Sequence, residues 1–177
     1  MILNCLINYS IFQNSNKILW SDNRKLEWKQ FRGNVDGTSL EGAATKTRIE
    51  INVIAEKTYI EFNVPCYFEP NQSWTLTNDS AVLIHEQNHF NLAEVAARNL
   101  RKELSEFKYV KGMNIKSEVN ILYHKNIKFL ITYQNKYDTE TNHSISKHNQ
   151  KIWEQRITDL LMNLEKYKAT TIRINLS

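Results

Sequence analysis

The chain has 177 residues, enough for one domain with a substantial core, and 41% of them are hydrophobic, a globular rather than a disordered balance. The formal net charge of +4 comes from dispersed Lys and Arg with no dense basic stripe, which argues for solubility and against a nucleic-acid partner. No run is long and apolar enough to span a membrane, and the 4 Gly and 2 Pro leave little room for structureless linkers.

Residues 1–12 (MILNCLINYSIF) are apolar with interspersed Asn. They lack the basic start, clean apolar stretch and small-residue cleavage site of an export signal. Residues 1–20 are therefore expected to be an N-terminal arm, a first strand or a degenerate leader, and residues 21–177 the domain proper. The segment from Leu26 to Gly33 (LEWKQFRG) runs into a Gly/Thr/Ser-containing loop at 33–47. Two alternating runs follow, 48–53 and 59–64, which read as strands closed into a hairpin by residues 55–58. The second run is a candidate edge for adding an extended peptide as a further strand. Pro65 and Pro70 punctuate the next stretch, and Ser73-Trp74 leads into a helix.

That helix is expected over 79–107. Asp79 or Ser80 can cap it, and Val82, Leu83, Phe90, Ala93, Ala96, Ala97, Leu100 and Leu104 recur at helical spacing. A second helix is expected over 114–137, then a polar turn from Tyr137 to His143, then a third helix over 145–168. Residues 170–176 alternate and read as a returning strand. Strands first and helices after argue for an α+β fold. Cys5 and Cys66 form no metal motif, and their spacing permits a disulfide without implying one.

Residues 85–89 read His-Glu-Gln-Asn-His. On a helix, His85 and His89 lie roughly 40° apart on one face and about 6 Å apart along the axis, so both imidazoles can reach one zinc ion. Glu86 falls about 100° round, beside such an ion, where its carboxylate can take a proton from a water on the metal. This is the HExxH arrangement of zinc metallopeptidases. Catalytic zinc ordinarily takes a third protein ligand. Glu94 lies about 180° round the same helix from His85 and is placed to pair with Arg98, so it serves as a ligand only if the helix bends after His89. His124 and His148 lie within the expected helices among polar neighbours. His143 sits in the polar turn, where loops position functional groups, and is the favoured third ligand. Tyr137 has two readings, a donor to the developing oxyanion or a core aromatic at a helix end. Asp138 can orient a zinc-bound imidazole or, more ordinarily, cap the turn.

The segments 83–94 (LIHEQNHFNLAE) and 137–143 (YDTETNH) resemble a bacterial family of unknown function that is grouped with the HExxH zincin proteases of peptidase clan MA and described as secreted and zinc-dependent. The Leu26–Gly33 segment, Ser73-Trp74, and Gln150 with Trp153 are also similar to that family, so the likeness covers roughly residues 24–165. The resemblance implies a zincin-like domain, zinc ligands at His85 and His89, Glu86 as the base, and export from the cytoplasm to the periplasm or medium. It adds weight to Tyr137 and His143, which fall in its second motif. Two positions depart from it: Asn88 and Ser144 stand where such sequences carry Gly. The reading is an α+β zincin-like metallopeptidase acting on a peptide or protein substrate. Zinc would be held by His85, His89 and His143, with Glu86 as general base and Tyr137 beside the oxyanion. The rivals are a zinc hydrolase of a non-peptide amide or ester, and a zinc-stabilised binding module without activity.

Overall fold

The computed structural model describes residues 17–35 and 42–176. Its strands are β1 (Ile18–Leu19), β2 (Ala43–Ala44), β3 (Thr47–Ile49), β4 (Asn52–Ala55), β5 (Tyr59–Asn63), β6 (Cys66–Phe68), β7 (Trp74–Thr75) and, at the far end, β8 (Thr171–Asn175). Between β7 and β8 lie three helices, α1 (Ser80–Ser105), α2 (Ile115–Thr141) and α3 (Lys147–Asn163). The fold is α+β, as the order of patterns in the sequence implied. Cys5 and most of the expected N-terminal arm lie outside the described residues. Ile18 and Leu19, at the end of that arm, pair with Phe68 and Tyr67 as part of the sheet.

The expected hairpin is present, but its first strand is split. Pairing runs from Thr47↔Phe68 through Ile49↔Cys66 and resumes at Asn52↔Asn63 in the same register. The interruption follows from Pro65, which has no N–H to give the ladder. Its neighbour Val64 points its own N–H to Thr170 O at 2.8 Å and its carbonyl to the Arg101 guanidinium at 2.8 and 2.9 Å. The run 48–53 therefore serves two sheets, β1-β6-β3 and β4-β5-β8. The expectation that residues 59–64 form an open edge is corrected: β5 is the central strand, with β4 on one side and β8 on the other. The returning C-terminal segment occupies the edge that a peptide would need.

Ile60, Phe62, Val64, Cys66 and Phe68 are fully buried. They face Phe90, Ala93, Ala96, Ala97, Leu100 and Leu104 of α1 within one hydrophobic core. Runs of alanine on α1 allow close approach of neighbouring elements. Asp79 caps α1 by accepting from the Ala81 N–H at 2.6 Å. No Pro or Gly interrupts the helix, and it runs straight through the HExxH motif. α2 and α3 pack on its other flank, so α1 is sheathed on nearly all sides. The N-terminal segment closes the rest: Leu26 N–H donates to Gln87 Oε1 at 2.7 Å and Trp20 Nε1 to Asn91 Oδ1 at 3.1 Å. Gly33 in the LEWKQFRG segment is required by close approach, since a Cβ there would lie 2.9 Å from the backbone of Gln72 and Ser73.

α2 runs four residues further than its pattern suggested, to Thr141. The stretch expected as a polar turn, 138–141, is the last turn of this helix. The left-handed residues Asn142, His143 and Ser144 (φ 48°, 49° and 75°) then reverse the chain into α3. Among the described residues, no helix is long and apolar enough to cross a membrane.

Candidate metal centre

His85 and His89 project from one face of α1, as their spacing requires. Their Nε2 atoms are 3.1 Å apart. The last turn of α2 crosses this face and brings Asp138 Oδ1 to 3.1 Å from His85 Nε2 and 2.9 Å from His89 Nε2. Three ligand atoms from two helices thus converge on one point, a grouping that can hold a metal ion. The edges of this triangle approach the ~3.3 Å that separates ligands set tetrahedrally about 2.0 Å from zinc. Burial opposes charge on the Asp138 carboxyl, yet the hydrogen bonds and charges of His85 and His89 hold it well below the usual carboxylate range. The site deepens toward the core: the side chain of Asp138 is 24% exposed, that of His89 12% and that of His85 5%.

Glu86, next to His85 on the same helix, is buried, and its Oε2 has no hydrogen-bond partner among the described residues. A buried, unsatisfied carboxylate oxygen is costly. It fits a group awaiting a proton donor such as water. Two imidazoles and one carboxylate form a donor set that could hold a metal ion.

The remaining candidates fall in different places. His143 lies just past α2 in the left-handed turn, its N–H bonded to Asp138 O at 2.9 Å, and is exposed. The group that meets the two imidazoles contains Asp138 and not His143. Glu94 faces away, as helix geometry demanded. It is buried against Arg98 at 3.0 Å and Arg101 at 2.8 Å. His124 and His148 are exposed on the outer faces of α2 and α3. Tyr137 is fully buried and stacks on the His85 ring at a centroid distance of 4.4 Å. Its hydroxyl accepts from Gln150 Nε2 at 2.6 Å and from Asn88 Nδ2 at 3.4 Å, and donates to His85 O at 3.4 Å. Burial pushes its pKa well above the ordinary phenol value. The hydroxyl is thus committed to the protein interior.

From sequence alone, Asp138 reads only as an orienting or capping group. A signal for it exists. Gln134, Asp138 and Thr141 recur at i, i+4 and i+7 beside the buried stripe of Leu130 and Tyr137, and Gln134 Nε2 also reaches His89 O at 3.4 Å. Polar residues at helical spacing next to a buried stripe mark a continuing helix that faces something polar.

The fold and site together define an α+β domain with a two-histidine, one-carboxylate cluster on a helix pair. The family model described as "Bacterial protein of unknown function (DUF922)" matches residues 23–144, and the chain belongs to this family. The matched span contains His85, Glu86, His89 and Asp138 and ends six residues before Gln150. No curated protein and no solved structure matches the chain.

Proposed function

We propose that the chain is a zinc-dependent peptidase in which His85, His89 and Asp138 hold the metal and Glu86 is the general base. One observation carries this reading: Glu86 Oε2 is buried and without a partner one residue from His85, whose Nε2 meets His89 and Asp138 within 3.1 Å. Zinc held by these three residues would supply a Lewis acid able to polarise a scissile carbonyl and to lower the pKa of water to about 7. Glu86 accepts the proton of the attacking water and delivers it to the leaving amine nitrogen. Asp138 adds negative charge to the donor set and, on the more exposed side, borders the way in. Tyr137 supports the ring of His85 from below and does not reach the reacting atoms. A merely structural zinc site would close its fourth position and would need no uncommitted carboxylate.

The test is digestion of an unstructured protein by the zinc-loaded chain, with and without a chelator, alongside Glu86→Gln. The expected result is chelator-sensitive cleavage that falls roughly 10²–10⁴-fold in Glu86→Gln while the zinc remains bound. Full activity in Glu86→Gln would remove the base from the mechanism. Hydrolysis of small amides or esters with no cleavage of any polypeptide would reassign the substrate class.

A further inference from the structure

Gln150, near the start of α3, lies outside the metal cluster and outside the span that the family model matches. Its side chain is nonetheless buried against two residues of the centre. Its amide oxygen is 3.1 Å from His85 Nδ1, and its amide nitrogen is 2.6 Å from the Tyr137 hydroxyl. We infer that Gln150 is a positioning residue that fixes the tautomer and the ring plane of His85 for metal binding. This rests on the zinc site proposed above.

A metal held at His85 Nε2 needs the lone pair there, so the ring proton must sit on Nδ1. Nδ1–H then needs an acceptor, and Gln150 Oε1 lies within reach. A lone amide can rotate by 180° and offer its N–H₂ to Nδ1 instead, which would force the proton onto Nε2 and block ligation. Tyr137 opposes that rotation. Its hydroxyl accepts from Gln150 Nε2, and its own proton is directed to His85 O. Asn88 Nδ2 is a second donor to the same hydroxyl. Two donors on the hydroxyl oxygen leave its proton no place on Gln150, so the amide is held with Oε1 toward His85. The Tyr137 ring, stacked on His85 with an interplanar angle of 17°, sets the plane in which Nδ1 meets that oxygen. Trp153, one turn further on α3, packs on Tyr137 at 5.4 Å and holds this support in place.

The experiment compares zinc affinity, by titration against a competing chelator, for the wild type, Gln150→Leu, Gln150→Glu and Tyr137→Phe. It is joined to long-range ¹⁵N–¹H NMR of the metal-free wild type. The expected results are a slowly exchanging proton on His85 Nδ1 and a roughly 10–100-fold loss of affinity in Gln150→Leu, the range seen when partners of metal-ligating histidines are removed. Gln150→Glu keeps an acceptor for Nδ1–H and should bind zinc at least as well as the wild type. Tyr137→Phe should lose less than Gln150→Leu. A metal-free His85 with its proton on Nε2 and none on Nδ1 overturns the inference without any variant, which also covers the case in which Gln150→Leu does not fold. Equal affinities for Gln150→Leu and the wild type overturn it too, as does an equal loss in Gln150→Glu and Gln150→Leu. If the wild type binds no zinc, the reading of the centre fails and this inference falls with it. Tight binding in the wild type with an indifferent Gln150 defeats this inference alone.

Discussion

The two halves of α1 bury charge in opposite ways. Toward the C-terminal end, Glu94, Arg98 and Arg101 are almost completely buried. Glu94 accepts from both guanidiniums. Arg101 also donates to Val64 O, Tyr167 O and Lys168 O, and Arg98 to Leu161 O and Glu165. Among the described residues Arg98 Nη2 has no hydrogen-bond partner, but the Asp22 carboxylate is 3.6 Å away, and the guanidinium lies over the Trp20 ring. These groups tie the helix to the sheet and to the segment after α3. Toward the N-terminal end, His85, His89 and Asp138 crowd their ligand atoms together, and Glu86 keeps one oxygen uncommitted. The C-terminal group ties its charges into a network that joins the helix to the sheet, whereas the N-terminal group brings three ligand atoms onto one point. The same helix contributes to both.

This contrast is open to attack at several points. The largest expected effect is on stability. Glu94→Ala leaves two buried guanidiniums without their shared carboxylate and should cost about 3–5 kcal/mol, read from urea unfolding, while zinc affinity stays at the wild-type level in the folded protein. Loss of zinc with unchanged stability would mean that the two halves of α1 had been assigned the wrong way round.

A smaller effect concerns acid. In the metal-free protein the folded Asp138 carboxyl is held below its unfolded value by His85 and His89. Its contribution to stability is therefore present above about pH 4, the ordinary carboxylate value, and is lost as the pH falls through the folded value. The gap in Tm between the metal-free wild type and Asp138→Asn should narrow as the pH is lowered below about 4. A gap that widens on acidification would deny that the two imidazoles stabilise the carboxylate.

The smallest effect lies at the turn that ends α2. Ser144 has φ 75°, in the left-handed region that favours glycine. Ser144→Gly should relieve left-handed strain and raise stability by roughly 0.5–1 kcal/mol, with no change in zinc binding. A destabilised Ser144→Gly would show that the hydroxyl or Cβ makes a contact outweighing the strain.

Much of the helix that carries the site was legible in the sequence because helical spacing is rigid. It sets His85 beside His89, turns Glu94 toward Arg98, and lets Asp79 cap the start. Long-range pairing left weaker traces. The break at Pro65 depends on Thr170 and Arg101 claiming the backbone of Val64. The central place of β5 depends on a strand from the other end of the chain. Asp138 reads as a turn residue because the polar stretch 138–143 has the composition of a loop, although the helix continues to Thr141. Tertiary contact with α1 overrides that local preference, and a group's place on the final turn decides what it touches.

The most direct measurement is a zinc titration of the wild type, His85→Ala, His89→Ala, Asp138→Ala and His143→Ala against a competing chelator. The wild type should bind one zinc per chain. Each of the first three variants should weaken binding by about 100-fold or more, since a protein ligand contributes roughly 3 kcal/mol of apparent zinc affinity, and His143→Ala should bind as the wild type does. Wild-type affinity in Asp138→Ala beside a sharp loss in His143→Ala would contradict the assignment and return the third ligand to the turn after α2.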